Sequence, residues 1–220
     1  MTQIICIDGP AASGKSTVAS KLARTLELIH LNSGALFRAV ALESRRLEDG
    51  KDYSGIAKNL DFKFILQTDG STKLLINGLD ISDQLNSSEV AEIASKIAVF
   101  PELRSVLLEV QRNQARVASK GIVVEGRDAG SVVFPEAEFK FYLNASLDER
   151  ARRRYAELSS YGLSSYGSYQ ELREALGQRD ARDEGRQCAP QKPASDAIII
   201  STDGLSVEQV VELIIKKISS

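Results

Sequence analysis

Along the chain, short apolar runs alternate with segments whose apolar residues recur every three or four positions. Gln3-Ile-Ile-Cys-Ile7, Ile29-His-Leu31, Ile122-Val-Val-Glu125, Phe139-Lys-Phe-Tyr-Leu143 and Ala197-Ile-Ile-Ile200 predict strands. Gly14 to Leu26, with Val18, Leu22 and Leu26 on one side, predicts a helix, and so do Ala35 to Arg46, Leu147 to Ser159 and Tyr169 to about Glu184. Ser206-x-x-Gln209 is a capping box, and Val207, Val210, Val211, Ile214, Ile215 and Ile218 behind it line an amphipathic C-terminal helix. Apolar strands separated by helices predict an α/β chain with a parallel sheet and helices on both faces. In such a sheet ligands bind outside the carboxyl ends of the strands.

From about Asp61 the texture changes. Phe62 to Leu66 ends at Asp69-Gly70, Lys73 to Ile76 ends at Asn77-Gly78, and Leu79-Asp-Ile81 follows. Two Asx-Gly turns between apolar runs predict an antiparallel meander, which is foreign to a parallel sheet and reads as an insertion. Val90, Ile93, Ala94, Ile97 and Ala98 then repeat at helical spacing. Pro101 suits the first turn of a second helix striped by Leu103, Val106, Leu107 and Val110. Tyr161 to Tyr169 is rich in Ser, Gly and Tyr and reads as a flexible loop.

Composition narrows the class. At 220 residues the chain is one domain with room for inserts. Lys and Arg total 28 against 30 for Asp and Glu, a balance that argues against a dedicated nucleic-acid binder. No apolar run approaches the ~18 residues of a membrane helix, and Met1-Thr-Gln leads straight into a strand without a secretory leader. Cys6 and Cys188 form no metal-ligand pattern and no disulfide framework, which suits a reducing cytoplasm. With no surplus apolar stripe, a monomer is expected.

The chemistry begins where the first strand ends. Gly9-Pro-Ala-Ala-Ser-Gly14-Lys15-Ser16 fits the phosphate-binding pattern Gly-x4-Gly-Lys-Ser/Thr, with a strand before it and a helix after it. Gly9 and Gly14 let the backbone curl around phosphate oxygens and aim its N–H groups inward. The following helix points its positive end at the same place. Lys15 reaches the β- and γ-phosphates, and the Ser16 hydroxyl can ligate Mg²⁺. A nucleoside triphosphate is the expected ligand.

The fate of the bound nucleotide is written less directly. A guanine-specific switch would show Asn/Thr-Lys-x-Asp, which is absent. A motor would show an apolar run ending in Asp, whereas Ile122-Val-Val-Glu125 leads into Gly-Arg-Asp. Arginines gather instead at strand ends and in the later helices. Arg150, Arg153 and Arg154 share a helix face, and Arg179, Asp180, Arg182, Asp183 and Arg186 lie about a turn apart. Taken singly, each could be a solvated salt bridge. Taken together, on segments joined by a Ser/Gly-rich loop, they suit a closing lid over a phosphoryl-transfer site. His30, in a short strand, is given no role.

The sequence resembles the bacterial cytidylate kinases of the nucleoside monophosphate kinase group. The residues that carry the resemblance are Ile7 to Thr17, Asn32-Ser-Gly-Ala-Leu-Phe-Arg38, Ala94-Ser95, Phe100-Pro101-x-x-Arg104, Gly126-Arg-Asp-Ala-Gly-Ser-Val-Val-Phe-Pro135, Glu149 to Arg154, Arg179-Asp-x-Arg-Asp183, Arg186 and Ala189-Pro190-x-Lys-Pro-Ala194. The resemblance implies a P-loop NTPase fold: a parallel five-stranded sheet with helices on both faces, an inserted meander and helical monophosphate-binding subdomain, and a helical lid. The corresponding boundaries are core 1–59, 120–147 and 187–220, insert 60–119 and lid 148–186. It implies transfer of the γ-phosphoryl of ATP to CMP or dCMP with Mg²⁺. Gly9, Pro10, Ala11, Ala12, Ser13, Gly14, Lys15, Ser16 and Thr17 would bind ATP, with Ser16 on the metal.

The same resemblance gives Ser33 and Arg38 to the acceptor nucleotide, and Arg127 and Arg186 to its phosphate. Ser95, Arg104 and Asp128 would read cytosine, and Arg179 and Asp183 the sugar. Lys15, Arg127, Arg150, Arg154 and Arg186 would form the catalytic cation set, Arg150, Arg153 and Arg154 through lid closure. Three residues depart from the family pattern: Asn32 stands where aspartate is usual, Phe37 where tyrosine is common, and Gln191 where an apolar residue follows Ala-Pro. The alternative readings are a kinase for UMP or AMP on the same scaffold and, further off, a switch NTPase.

Overall fold

The strand that leads into the phosphate loop sits in the middle of the sheet. β1 (Gln3–Asp8) pairs in parallel with β6 (Gly121–Gly126) on one side and β7 (Phe139–Asn144) on the other. Ile5, Cys6 and Ile7 have no exposed surface, as expected of a strand covered on both faces. β2 (Ile29–Asn32) and β8 (Ile198–Ser201) complete a five-stranded parallel sheet of order β2-β6-β1-β7-β8. The computed structural model describes residues 3–45, 52–160 and 168–219.

Strand alternation divides the core in two. Ile5, Ile7, Val123, Phe141 and Ile200 meet α1 (Lys15–Leu26) and α8 (Val207–Ile218) through Val18, Leu22, Val210 and Ile214. Cys6, Leu31, Ile122 and Val124 face the other way, onto α2 (Ser33–Ser44), α4 (Ser88–Ile97) and α5 (Pro101–Val117). Each large apolar side chain buried in this way contributes roughly 1.5–3 kcal/mol. A smaller cluster holds Ala11 of the phosphate loop against α6 (Leu147–Ser160) and α7 (Tyr169–Glu184) through Ala151, Leu158, Leu172 and Leu176.

The predicted meander is present. β3 (Phe62–Leu66), β4 (Thr72–Ile76) and β5 (Leu79–Asp80) form a separate antiparallel sheet. Asn77 and Gly78 both have positive φ, 51° and 81°, which is why an Asn-Gly pair makes this two-residue turn. Phe62 pairs with Ile76 and Phe64 with Leu74, so one apolar face joins the α2/α4/α5 core. Gln114 of α5 donates to the Phe62 carbonyl at 3.1 Å and accepts from the Phe64 N–H at 3.3 Å, covering part of the β3 edge. The Thr72 hydroxyl accepts the His30 N–H at 3.0 Å, tying the meander to β2.

Some elements escaped the pattern. α3 (Tyr53–Lys58) is one short turn-and-a-half whose start is set by Asp52, which accepts the Gly55 N–H at 2.8 Å. A 3₁₀ segment, Ser82–Asn86, follows β5. α2 begins at Ser33 rather than Ala35, because the Asn32 side chain caps it by accepting the Ala35 N–H at 3.0 Å. Arg46, the predicted end of that helix, and positions 161–167 of the predicted loop lie outside the described residues.

Register decides where the polar groups gather. Asp8 lies opposite Gly126, Asn32 opposite Glu125, and Asn144 opposite Ser201. All the strands therefore end in polar or small residues along one edge, the edge at which a parallel sheet binds its ligands.

Candidate active site

The phosphate loop is shaped by contacts only glycine tolerates. A Cβ on Gly9 would lie 2.3 Å from the Leu143 carbonyl oxygen, and its φ is 152°. Gly14 (φ 88°) and Ala12 (φ 59°) turn the chain through the left-handed region, which points successive N–H groups into one concavity. Lys15 closes the loop by donating to the Pro10 carbonyl at 2.8 Å. Burial pushes the Lys15 ammonium well below the usual lysine range. Arg127 and Arg179 push the same way, against Glu125 and Asp8. Lysine and arginine outnumber the carboxylates around the site, the condition for receiving phosphates.

Behind the loop, Glu125 is a hub. Its Oε2 accepts from the Ser16 hydroxyl at 2.7 Å, and its backbone carbonyl accepts from the Ser33 hydroxyl at 2.7 Å. His30 Nε2 stands 3.3 Å from Glu125 Oε1, off the hydrogen-bond axis. Burial opposes ionisation of Glu125, but His30, Lys15 and Ser16 outweigh it and hold its pKa at about 2. A Cβ on Gly126 would meet Ser33 Oγ at 2.6 Å, so a larger residue there would turn that hydroxyl away.

The far end of the site is built from side chains on separate elements. The Arg104 guanidinium pairs with Asp128, donates to the Ala98 carbonyl at 3.0 Å and lies 5.4 Å above the Phe37 ring. Ser95 adds a buried hydroxyl with no hydrogen-bond partner among the described residues. A buried polar atom left open beside a cavity is a mark of a ligand position. Nearby, Asp183, 1 % exposed, takes Arg127 Nε at 3.0 Å on one oxygen and Arg186 on the other. Burial raises its carboxyl, but Arg127, Arg186 and Arg179 more than reverse this and keep it below the usual range.

One cavity of about 1070 Å³ joins both ends. It is lined by Ala11 to Val18 of the loop and α1, by Glu125 and the acidic pair Asp128 and Asp183, and by the cations Lys15, Arg38, Arg104, Arg127, Arg153, Arg154, Arg179 and Arg186. That volume is at the upper limit for a single small ligand and suits two.

The model of the family described as cytidylate kinase matches residues 5–220. The chain belongs to the cytidylate kinase family. A cytidylate kinase of Pasteurella multocida is 43 % identical over 212 residues, which cover 94 % of this chain and 91 % of that protein. One of Citrifermentans bemidjiense is 42 % identical over 215 residues, 96 % and 90 % of the two chains. Among solved structures, an uncharacterized protein of Eubacterium ventriosum aligns over 100 % of this chain and 99 % of its own, with a TM-score of 0.50 and 14 % identity, a likeness of fold.

For this cytidylate kinase family member, nearly every residue singled out from sequence lines the one cavity: Ala11 to Thr17, Ser33, Arg38, Ser95, Arg104, Arg127, Asp128, Arg154, Arg179, Asp183 and Arg186. Gly9 and Pro10 form the back of the loop instead. Arg150 is the departure. It does not line the cavity; it is buried, donates to the carbonyls of Ala145 (3.0 Å) and Ala11 (3.1 Å), and pairs with Asp180. Asp180 in turn accepts the Ala11 N–H at 3.4 Å, so the pair grips one residue of the loop from both sides. In this structure Arg150 braces the phosphate loop. Arg153, on the same helix face, is held by Glu149 and by the Thr202 backbone and hydroxyl. Arg153 and Arg154 both line the cavity, and Arg154 pairs with Glu157 at 2.8 Å.

Sequence reasoning passed over Asp8 and the hub role of Glu125, and gave no role to His30, which stands beside Glu125. Their partners lie across the sheet, at the ends of neighbouring strands. Among the described residues no group of three His, Cys, Asp or Glu side chains could hold a metal ion, and no helix is long and apolar enough to cross a membrane.

Proposed function

We propose that this chain transfers the γ-phosphoryl group of ATP to CMP or dCMP, giving ADP and CDP or dCDP. The observation that carries the reading is the single cavity with a phosphate loop at one end and the Ser95–Arg104–Asp128 group at the other. Cytosine carries an amino donor beside a ring nitrogen and a carbonyl. Asp128 accepts from the amino group, while Arg104 and Ser95 donate to the acceptors. Uracil puts a carbonyl where the amino group stands, which leaves Asp128 facing another acceptor.

Between these ends the cations take the phosphates. The loop N–H groups and Lys15 hold the donor phosphates, and Arg38, Arg127 and Arg186 receive the acceptor phosphate. Arg179 and Asp183 take the sugar. Arg154 approaches from the lid, residues 148–186, and the insert, residues 60–119, carries Ser95 and Arg104. No general base is required, because the attacking phosphate oxygen is already anionic; positioning and charge neutralisation supply the rate.

The donor set suits Mg²⁺, which prefers oxygen ligands, keeps several waters and needs few protein groups. The Ser16 hydroxyl, backed by Glu125, is such a ligand. When bound, the ion adds neutralisation of phosphate charge. Two free thiols, Cys6 buried and Cys188 partly so, fit a protein working in the reducing cytoplasm.

The test is ADP release with ATP and, in turn, CMP, dCMP, UMP, AMP and no acceptor. Strong stimulation by CMP and dCMP is expected. Stimulation by AMP or UMP alone, or release without acceptor, would overturn the reading.

A further inference from the structure

Asp8 touches neither end of the cavity, yet it links them. It is the last residue of β1, directly before Gly9, and 3 % exposed. Its Oδ1 accepts the Ala129 N–H at 2.9 Å and its Oδ2 the Gly130 N–H at 2.8 Å. Those amides open the tight π-type turn Ala129–Val133, whose N-terminal position is Asp128. The first N–H groups of such a turn have no partner within it. An aspartate at the N-terminal position ordinarily supplies that partner from its own side chain. Asp128 makes no such bond; its carboxylate is turned to Arg104 instead.

We propose that Asp8 is a positioning residue for acceptor selection: it caps the Ala129–Val133 turn in place of Asp128 and so releases the Asp128 carboxylate for the base. The inference rests on the reading of Asp128 given above. It also explains the tight seat of the turn, where a Cβ on Gly130 would lie 3.1 Å from Lys140 Cγ and 3.4 Å from Cys6 Cβ. With Asp8 uncharged or replaced by an amide, one oxygen ceases to accept. Asp128 is then drawn back toward the bare N–H groups and away from Arg104.

The charge on Asp8 is finely held. Burial pushes its pKa up to about 6; the Gly130 and Ala129 N–H groups oppose this, Asp128 adds to it, and Lys15 opposes it. Cys6 on the same strand and Tyr142 on the adjoining strand also face it. Protonation on going below about pH 6 should therefore mimic the amide. The nucleotide phosphate titrates in the same range, but equally in CMP and UMP, so the preference between them isolates the base.

The experiment measures kcat/KM for CMP and UMP and KM for ATP, from about pH 7.5 to about pH 5.5, in the wild type and Asp8→Asn. In the wild type the CMP:UMP ratio should fall roughly 10-fold across this range. Asp8→Asn should show the lowered ratio at every pH, with KM for ATP changed by less than about 3-fold. An unchanged ratio in Asp8→Asn, or an ATP KM that rises as much as that for CMP, would overturn the inference. Should the variant fail to fold, the wild-type profile decides, and a flat ratio refutes the role. A protein with no preference for CMP at any pH overturns this inference together with the base reading, whereas a CMP preference indifferent to Asp8 overturns the inference alone.

Discussion

The two ends of the cavity are built on opposite plans. The proposed donor end is a continuous stretch, Gly9 to Thr17, and its contacts are main-chain: left-handed turns at Ala12 and Gly14, a Gly9 pressed on the Leu143 carbonyl, a lysine folded onto the Pro10 carbonyl. The proposed acceptor end is a set of side chains from distant elements, held together by ion pairs. Asp128 holds Arg104, and Asp183 holds Arg127 and Arg186. A cradle of backbone dipoles is preorganised and blind to the rest of the ligand, since every nucleoside triphosphate presents the same phosphates. A cage of paired side chains is selective, because a mismatched base strands buried polar groups, and for the same reason it is easier to retune.

The plans should respond differently to substitution. Lys15→Met gives the largest effect: a loss of kcat of about 10³-fold, equal for every acceptor, since it removes charge stabilisation common to all of them. Steady-state kinetics with CMP and UMP would show it, and a loss confined to one acceptor would erase the distinction between the ends. Next comes Arg150→Met, aimed at the brace. It leaves Asp180 buried and unpaired, which should lower stability by about 3 kcal/mol, read as a fall in the urea midpoint, while kcat per folded molecule drops less than about 10-fold. A kinetic loss as large as that of Lys15→Met with unchanged stability would place Arg150 among the catalytic cations after all.

The same contrast explains how much could be read from the sequence. The shape of the proposed donor end was legible because its motif is local: glycines, lysine and serine stand at fixed spacing on one turn of chain. The meander was legible because Asn77-Gly78 dictates its own turn. The acceptor end emerged only by resemblance, residue by residue, since nothing in Ser95, Arg104 or Asp128 alone says that topology brings them together. Arg150, Arg153 and Arg154 show the limit well. Their spacing placed them on one helix face, but the packing of α7 buried the first, while the second and third stay at the cavity, the second bound to Thr202. Asp8 was invisible for a related reason. Its carboxylate acts on amides more than a hundred positions away, reached only because β1 and β6 end in register. α3 lacked a signal of its own, being six residues long with Gly55 inside it.

The central claim is that the acceptor is chosen at Asp128, independently of the phosphate loop. It is tested most directly by kcat/KM for CMP and for UMP in the wild type and in Asp128→Ala, with KM for ATP measured alongside. The CMP preference should shrink by about 100-fold while KM for ATP stays within about 3-fold. An unchanged CMP:UMP ratio, or a loss shared equally by both nucleotides, would contradict it.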